Sequence, residues 1–322
     1  MKRKNEKVTV AIPVYNGEDF IGETLKSIIA QTRKVDHVLI CDNQSTDNTL
    51  QIVNKIKNEH PDIEFQIHKN EENLGHRKNF NKCMELCNSD YLLILSCDDI
   101  LRPHTIEKEI KCFKENPKVA LVAGKYDMID ENGTFIGNNR KVDNPEDTVV
   151  FKKGEILEFI KKTASWVPQS MVLMKMKYIR QIGMFDDRYL GFDELYWPKV
   201  LQRFSFVILG EVMLDIRLHQ KQDGSLAYIS KYEEEMKYLE ARKALAYLES
   251  SKSRIKKIKK YLRRQVSNSS FMMGEIVWKR YKKYLTALRY WLYGIRQAPV
   301  YVLKRFVVKR FHLKKIVQKL KY

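Results

Sequence analysis

Strand-like and helix-like segments alternate along the first hundred residues, and this alternation limits the fold more than any other feature of the sequence. Four β-rich apolar runs each end in a polar loop, and segments with apolar residues at helical spacing separate them. The predicted strands are Val8–Val14, His37–Cys41, Ile63–His68 and Tyr91–Leu95, and the predicted helices are Phe20–Gln31, Leu50–Asn58 and Lys78–Cys87. This order predicts an α/β fold with a mostly parallel, doubly wound sheet.

The loops after three of these strands carry the residues from which we expect a binding site. Ligands bind beyond the carboxyl ends of parallel strands, so Tyr15, Asp42 and Asp98 should lie along one crevice. Asp98 and Asp99 are adjacent carboxylates, which is unfavourable at the end of a buried strand unless a cation or a hydrogen-bonding ligand accompanies them. Such oxygen ligands suit Mg²⁺ or Mn²⁺, with diphosphate oxygens completing the shell. The alternative is an acidic turn that caps the next helix.

Two common nucleotide-binding motifs are missing from the sequence. No Gly-x-Gly-x-x-Gly follows the first predicted strand, and no Gly-x-x-x-x-Gly-Lys-[Ser/Thr] occurs anywhere. Their absence argues against an NAD-dependent enzyme and against a P-loop NTPase. A nucleotide would therefore be held by side chains and a metal ion.

Four motifs together resemble a known enzyme family. They are Val10-Ala11-Ile12-Pro13-Val14-Tyr15-Asn16-Gly17, Cys41-Asp42-Asn43-Gln44-Ser45-Thr46-Asp47-Asn48-Thr49, Asn73-Leu74-Gly75 with Asn79, and Leu95-Ser96-Cys97-Asp98-Asp99-Ile100-Leu101-Arg102-Pro103. In order and spacing they are similar to the successive motifs of the family 2 glycosyltransferases, of the bacterial surface-polysaccharide type. The resemblance covers about the first two thirds of the chain. It implies a GT-A fold and a nucleotide-sugar donor, with a UDP-sugar favoured.

The resemblance also implies roles for individual residues. Donor binding is implied for Pro13, Tyr15, Asn16, Asp42, Asn43, Gly75, Asn79, Asp98 and Arg217, and metal binding for Asp98, Asp99 and His219. Pro13 and Tyr15 would lie against the base, and Asp42 would hydrogen-bond it. Asn43 stands where many members carry a second Asp, and Ser96 stands where many carry the first Asp of an Asp-x-Asp triplet. The second difference leaves fewer carboxylates for the metal and predicts weaker metal binding.

Two later segments extend the resemblance to the acceptor side. The segment Gly191-Phe192-Asp193-Glu194 resembles the part of the family that delivers the catalytic base; Asp193 is the matching residue and Glu194 the reserve candidate. Trp166, Gln169 and Glu194 are candidate acceptor contacts, although Trp166 equally fits a core side chain beside a proline turn. The triplet Arg217-Leu218-His219 resembles the Arg-x-His that closes the catalytic domain, with Arg217 or His219 beside the diphosphate.

The positive charge of the chain is concentrated at its C-terminal end. Residues 231–322 carry 26 Lys and Arg against 6 Asp and Glu, a net charge of +20, which leaves 33 against 34 in residues 1–230. Bulky aromatic and aliphatic residues recur among these cations, a pattern typical of helices that lie in a membrane interface and are attracted to anionic lipid. The alternative is a helical bundle packed on the catalytic domain with a solvated basic face.

The charge distribution also sets the predicted domains. A GT-A catalytic domain is predicted over 1–230, with a nucleotide-sugar half at 1–103 and an acceptor half at 104–230, followed by a basic helical extension at 231–322.

All five cysteines lie before residue 113 without a Cys-x-x-Cys pair, which favours buried thiols in a reducing compartment. No stretch of about 18 apolar residues is present. We therefore expect a cytoplasmic protein held peripherally at the inner face of the cell membrane.

The favoured function is metal-assisted, inverting transfer of a sugar to a glycan acceptor, and two other functions would also explain part of the sequence. A sugar nucleotidyltransferase would share the fold and the acidic site, but it would form a sugar nucleotide instead of consuming one. A nucleic-acid-binding protein would explain the basic extension through phosphate contacts. It would leave the acidic crevice of the near-neutral N-terminal part unexplained, so no nucleic-acid partner is expected. The expected partners are the nucleotide sugar, a glycan or lipid-linked acceptor, and an anionic membrane surface.

Overall fold

A computed structural model of the 322-residue chain describes residues 6–138, 148–163, 167–187, 192–219, 267, 284–297 and 299. The chain divides into two compact units, Met1–Ala227 and Tyr228–Tyr322. The predicted domain boundary at residue 230 lies outside the described residues and stays a prediction. The polar stretch that ends at Asp147 predicts a loop, and its residues 139–147 lie outside the described residues as well.

A ten-stranded mixed sheet runs through the described part of the first unit. Its strands are β1 (Val8–Val14), β2 (His37–Asp42), β3 (Glu64–Lys69), β4 (Tyr91–Ile94), β5 (Ile100–Leu101), β6 (Val119–Ile129), β7 (Phe135–Asn138), β8 (Val149–Phe151), β9 (Val172–Lys175) and β10 (Ser205–Arg217). The order is β3-β2-β1-β4-β9-β6-β10-β5, with β7 beside β6 and β8 beside β10. Strands β1 to β4, β6 and β10 run in one direction, and β5, β7, β8 and β9 run in the other.

The described helices of the first unit connect these strands. They are α1 (Ile21–Ile29), α2 (Thr49–Glu59), α3 (His76–Leu86), α4 (Thr105–Glu115), α5 (Ile156–Thr163), α6 (Met176–Ile179) and α7 (Phe192–Leu201), with a 3₁₀ turn at Gln169–Met171. The predicted elements of the first hundred residues are confirmed, with ends that differ by two residues or fewer. Every residue of β1 and β4 is buried, as expected for central strands covered on both faces. The predicted α/β fold with mostly parallel strands is confirmed.

Strand β9 makes the centre of the sheet antiparallel. It lies between β4 and β6 and runs opposite to both of them. Strand β6 then turns back into β7 through Asp130–Gly133, as the Asn-Gly pair in that turn predicts. Gly133 has φ of 82°, a conformation that glycine adopts without strain, and Asp130 Oδ1 accepts hydrogen bonds from the backbone of Asn132 and Thr134.

In the second unit, the longest described element is helix α8 (Tyr284–Gln297). Within the described residues, no helix has both the length and the apolar character that crossing a bilayer requires. The other predicted helices of residues 231–322 lie outside the described residues.

Candidate active site

The loops after β1, β2 and β4 meet at one edge of the sheet. Strand β1 pairs in parallel with β2 on one side and with β4 on the other, so the three carboxyl ends are neighbours. The backbone N–H of Asn43 donates to the carbonyl of Val14 at 2.8 Å, and that of Leu95 donates to the carbonyl of Ala11 at 2.8 Å. These bonds extend the parallel ladder to the point where the loops begin.

The β1 and β2 loops are joined directly by hydrogen bonds. The backbone N–H of Asn16 donates to Ser45 Oγ at 3.0 Å, and Asn16 Oδ1 accepts from the N–H of Thr46 at 2.8 Å. The N–H of Gly17 donates to Thr49 Oγ1 at 2.8 Å. These hydrogen bonds therefore hold the β1 and β2 loops together.

Gly17 is required by close packing at this edge. A Cβ atom at Gly17 would lie 2.8 Å from Val14 Cγ2 and 3.2 Å from Cys97 Sγ. The β1 loop therefore lies directly against the β4 loop. The side chain of Tyr15 is half exposed beside it, and Pro13 is buried inside β1.

Buried amides connect the β2 loop to the loop before α3. Asn43 Oδ1 accepts from Asn70 Nδ2 at 3.0 Å and from the N–H of Leu74 at 2.8 Å, and Asn43 Nδ2 donates to Asn73 Oδ1 at 2.8 Å. Asn79 Oδ1 accepts from Asn70 Nδ2 at 2.9 Å. The contacts give Asn43 and Asn79 a part in positioning these loops, and their assignment to the donor stays a prediction.

Asp42 and Gly75 lie on either side of this amide network. Asp42 is fully buried, and its carboxylate accepts from the N–H of Ser45 at 3.2 Å. Gly75 has φ of 77° directly before α3, and its N–H donates to Asn73 Oδ1 at 2.9 Å. Because other residues are strained at this φ, the sharp entry into α3 favours glycine.

Asp98 is paired with a residue from the far end of the first unit. Asp98 Oδ2 lies 3.0 Å from His219 Nε2, and both side chains are about one-tenth exposed. The ring of His219 also packs against Phe20, with centroids 4.7 Å apart. The structure thus brings together two of the three predicted metal ligands.

Asp99 is buried and bonds to the backbone of Arg217. Its Oδ1 accepts from the backbone N–H of Arg217 at 3.1 Å. Burial, reinforced by the adjacent charge of Asp98, raises the pKa of Asp99 well above its ordinary value. The backbone carbonyl of Asp99 accepts a hydrogen bond from Thr24 Oγ1 at 2.9 Å. This bond fixes the loop after β4 that carries Asp98 and Asp99, the acidic loop, on α1.

Arg217 is almost completely buried and binds three parts of the chain at once. Its Nε donates to the carbonyl of Asp98 at 3.1 Å, and Nη1 donates to the carbonyls of Asp130 and Glu131 at 3.3 and 3.0 Å. Its Nη2 donates to Glu23 Oε2 at 2.5 Å. The guanidinium therefore holds the acidic loop, the β6–β7 turn and α1 together, and its assignment to the donor stays a prediction.

The Asp98–His219 pair suits a divalent ion that also binds diphosphate. Adjacent ligands of an octahedral ion at about 2.1 Å are separated by about 3.0 Å, and Asp98 Oδ2 and His219 Nε2 have that separation. The buried His219 Nδ1 has no hydrogen-bond partner among the described residues. No cluster of three or more His, Cys, Asp or Glu with metal-binding geometry occurs in the described part of the chain. Two protein ligands would leave most of the coordination shell to phosphate oxygens and water.

The predicted base lies at the start of α7, next to α3. Asp193 is the second residue of α7 and Glu194 the third, and Asp193 is partly exposed. The preceding residue, Phe192, packs on Phe80 of α3 with ring centroids 5.4 Å apart. Two hydrogen bonds of 3.0 Å between Asn81 of α3 and the backbone of Phe185 also join α3 to the segment before α7.

The remaining acceptor candidates lie near the chain segment before β9. Gln169 begins the 3₁₀ turn, and Trp166 lies outside the described residues. Trp197 of α7 donates from Nε1 to the carbonyl of Val167 at 2.7 Å. Ser170 Oγ lies 2.8 Å from Ser96 Oγ, so this segment contacts the acidic loop as well.

The sequence of the catalytic unit matches a known family over the region that carries these loops. The profile of Glycosyl transferase family 2 matches residues 9–183, more than half of the chain. The chain belongs to glycosyl transferase family 2. The match ends before α7 and before Arg217 and His219, whose placement beside the acidic loop comes from the structure.

Relatives and solved structures agree with this family. The chain is 28% identical to an uncharacterised glycosyltransferase of Methanocaldococcus jannaschii over 70% of this chain and 74% of the relative. It is 30% identical to a poly(ribitol-phosphate) beta-glucosyltransferase of Bacillus spizizenii, over 46% of this chain and only 24% of that enzyme. Much of that longer relative therefore has no counterpart here.

Two solved structures confirm the GT-A fold. TarS 1–349 of S. aureus in complex with UDP has a TM-score of 0.68 at 17% identity and covers 91% of this chain and 81% of its own. The mannosyltransferase PcManGT of Pyrobaculum calidifontis, in complex with GDP-Man and Mn²⁺, has a TM-score of 0.56 at 15% identity and covers 92% and 88%. The chain is thus a family 2 glycosyltransferase with the GT-A fold.

Several residues that organise the site are not evident in the sequence. Glu23 of α1 contacts Arg217, and Phe20, the residue before α1, contacts His219. Ser170 contacts Ser96 from the segment before β9. In the sequence, Glu23 is an ordinary polar residue of an amphipathic helix. No local signal would have identified it, since its partner is 194 residues away.

Proposed function

We propose that this glycosyltransferase moves a sugar from a nucleotide-sugar donor, with a UDP-sugar favoured, to a hydroxyl of a glycan acceptor and inverts the anomeric centre. The observation that carries the proposal is the 3.0 Å Asp98–His219 pair at the sheet edge where the β1 and β2 loops also meet. The donor class is supported by the UDP of TarS and the GDP-Man of PcManGT.

The donor would lie along the three joined loops. Tyr15, half exposed at the end of β1, offers a ring face to the base. Asn16 and Asp42 come from the same pair of loops. Asp98 would face the diphosphate. The buried amides of Asn43 and Asn79, together with Gly75, hold the far side of this cleft in shape.

A divalent ion, Mg²⁺ or Mn²⁺, would be held by Asp98 and His219. When bound, it supplies positive charge that neutralises the departing nucleoside diphosphate. Asp99 accepts a hydrogen bond from the backbone N–H of Arg217. It would help to position the ion by fixing the conformation of the loop that carries Asp98.

Asp193 is proposed as the general base. Its carboxylate takes the proton of the acceptor hydroxyl while the acceptor oxygen bonds to C1 of the sugar from the face opposite the diphosphate. The bond from C1 to the diphosphate oxygen breaks, and its electron pair leaves with the nucleoside diphosphate. Attack from the opposite face inverts C1. The packing of Phe192 on Phe80 supports this role because it brings the start of α7 next to α3, the helix that follows the loop of Asn73 and Gly75.

The acceptor is proposed to be a growing, lipid-linked surface glycan at the inner face of the cell membrane. The relative from Bacillus spizizenii is named for a poly(ribitol-phosphate) substrate, which supports a polymeric acceptor. The net charge of +20 in residues 231–322 supports an anionic membrane surface as the site of action. Gln169, Trp166 and Glu194 remain the candidate acceptor contacts.

A donor panel tests the proposal. The full chain is incubated with UDP-, GDP- and dTDP-sugars, with Mn²⁺, with Mg²⁺ and with EDTA, and released nucleoside diphosphate is measured. We expect release from one donor class, dependent on the added ion and strongest for a UDP-sugar. Absence of release from every donor under all conditions would contradict the proposal.

A further inference from the structure

Helix α8 exposes an apolar stripe on one side. Leu285 is 78% exposed and Leu292 is 57% exposed, and Tyr284, Leu288 and Ile295 are each between 40% and 51% exposed. At 3.6 residues per turn, these five positions fall within a sector of about 100° around the helix axis. Tyr290 lies on the opposite side of the same helix and is 1% exposed. The helix therefore buries one face and presents a bulky apolar face to solvent.

Charged and aromatic residues border this stripe. Arg289 and Arg296, seven residues apart and both exposed, follow it on one flank. Trp291, partly exposed, lies on the other flank. The helix contains no Asp or Glu. An exposed apolar face bordered by cations and an indole ring is the arrangement that binds a membrane interface.

From this arrangement we propose that the α8 stripe, Tyr284, Leu285, Leu288, Leu292 and Ile295, docks on an anionic phospholipid surface. The stripe would enter the boundary between headgroups and acyl chains, and Arg289 and Arg296 would contact lipid phosphates. The proposal rests on the membrane placement in the proposed function and assigns that placement to one helix face.

The positive charge of α8 argues against a second copy of the chain as the partner that covers the stripe. The spacing of Leu285, Leu288, Leu292 and Ile295 also fits a coiled-coil seam, but α8 provides only two heptads, and stable seams require about three or four. Two copies would bring Arg289 and Arg296 to a common interface without an acidic residue on α8 to pair with them. An anionic lipid surface neutralises the same two cations.

The test compares vesicle binding by full-length variants. Flotation is measured with phosphatidylcholine vesicles and with vesicles that contain about 30% phosphatidylglycerol. The Leu288→Ser/Leu292→Ser variant should bind the anionic vesicles about tenfold or more weakly, because two large apolar side chains no longer leave water. The matched control is Phe135→Ser/Ile136→Ser, which removes two equally exposed apolar residues from β7 and should bind like the parent.

A second variant and a vesicle-free assay separate lipid docking from misfolding and from self-association. Arg289→Gln/Arg296→Gln should lose most of the preference for anionic over neutral vesicles. Release of nucleoside diphosphate without vesicles should be unchanged in both α8 variants, which shows that the proteins are folded.

Two results would overturn the proposal. One is vesicle binding by Leu288→Ser/Leu292→Ser that equals binding by the parent. The other is a parent that forms a dimer and does not bind vesicles, if this variant converts the dimer to a monomer. A parent that binds vesicles through α8 but releases no nucleoside diphosphate contradicts the proposed function and leaves the docking intact.

Discussion

Among single residues, the site separates side chains that can reach a ligand from those that hold the loops. Tyr15 and Asp193 are exposed to different degrees, and Asp98 retains a small exposed area beside His219. Arg217 is buried among protein acceptors. This separation gives different expectations for their substitution.

Asp193→Asn is expected to remove turnover and keep donor affinity. Loss of a general base typically lowers the rate about 100- to 10,000-fold, while the asparagine keeps the size of the side chain at the start of α7. Steady-state rates and donor titration measure the two effects separately. Asp62→Asn, an exposed substitution before β3, is the matched control. Turnover within about threefold of the parent would eliminate Asp193 and bring Glu194 forward.

Asp98→Ala is expected to abolish the contribution of Mn²⁺ to donor binding. The variant removes the carboxylate that faces His219 and leaves the imidazole alone at the site. Titration calorimetry of UDP with and without Mn²⁺ measures the effect. An unchanged affinity and an unchanged Mn²⁺ dependence would show that the metal assignment is wrong.

Arg217→Ala is expected to destabilise the protein by about 2–4 kcal/mol, since it leaves the buried carbonyl of Asp98 and the two carbonyls of the β6–β7 turn without the guanidinium donor. Urea unfolding measures this, and Arg203→Ala, which loses one 3.3 Å hydrogen bond at the surface, should change stability by about 0.5 kcal/mol or less. A variant that is as stable as the parent but binds the donor poorly would restore Arg217 to the donor site.

Among the strands and helices, the parallel pairing explains which parts of the site could be predicted. Once β1, β2 and β4 are recognised as neighbouring parallel strands, Tyr15, Asp42 and Asp98 must share an edge. The Asp98–His219 pair spans 121 residues and could be expected only from the family resemblance. The contact between α3 and the segment before α7 depends on Asn81 and Phe185, which carry no motif. Long-range contacts between ordinary residues leave no periodic signal in a sequence, so the shape of the site around α7 could not be predicted.

Helix α4 buries an acidic residue that gives a pH-dependent prediction. Glu109 is fully buried, and neither of its carboxylate oxygens has a hydrogen-bond partner among the described residues. Burial raises the pKa of Glu109 well above its ordinary value of 4.5. Above that ordinary value the unfolded chain releases a proton that the native chain retains, so this residue lowers the free energy of unfolding as pH rises.

Glu109→Gln should therefore flatten the pH dependence of stability above about pH 5. The difference in slope between parent and variant approaches about 1.4 kcal/mol per pH unit, the value for one proton, until the pH reaches the native pKa. Urea unfolding at several pH values measures the slopes. Glu107→Gln, on the exposed side of the same helix, is the control and should keep the slope close to that of the parent. Equal slopes for the parent and Glu109→Gln would show that Glu109 is ionised in the native state.

Across the whole molecule, charge divides the chain into a near-neutral catalytic part and a strongly basic extension. Residues 231–322 carry a net charge of +20, and residues 1–230 carry −1. With about 1 kcal/mol available per cation near an anionic surface, the extension alone could hold the protein on a bilayer. Salt would weaken this attraction but leave apolar contacts of α8 unscreened.

Truncation after Ser230 should give a protein that still releases nucleoside diphosphate but no longer binds anionic vesicles. Vesicle flotation and the donor assay, made on the same preparation, measure both properties. An unfolded truncated chain would show that the extension belongs to the folded core and favour a packed bundle. Tight binding of nucleic acid by the full-length chain without vesicle binding would contradict the membrane placement.

The stereochemistry of the transferred sugar distinguishes inverting transfer from the rival reactions. With the donor found by the panel and a glycan acceptor, proton NMR follows the anomeric signal of the sugar during the reaction. We predict release of the nucleoside diphosphate together with a glycosidic bond whose anomeric configuration is opposite to that of the donor. Retention of the donor configuration, or formation of a sugar nucleotide from a sugar phosphate and a nucleoside triphosphate, would contradict inverting sugar transfer by this enzyme.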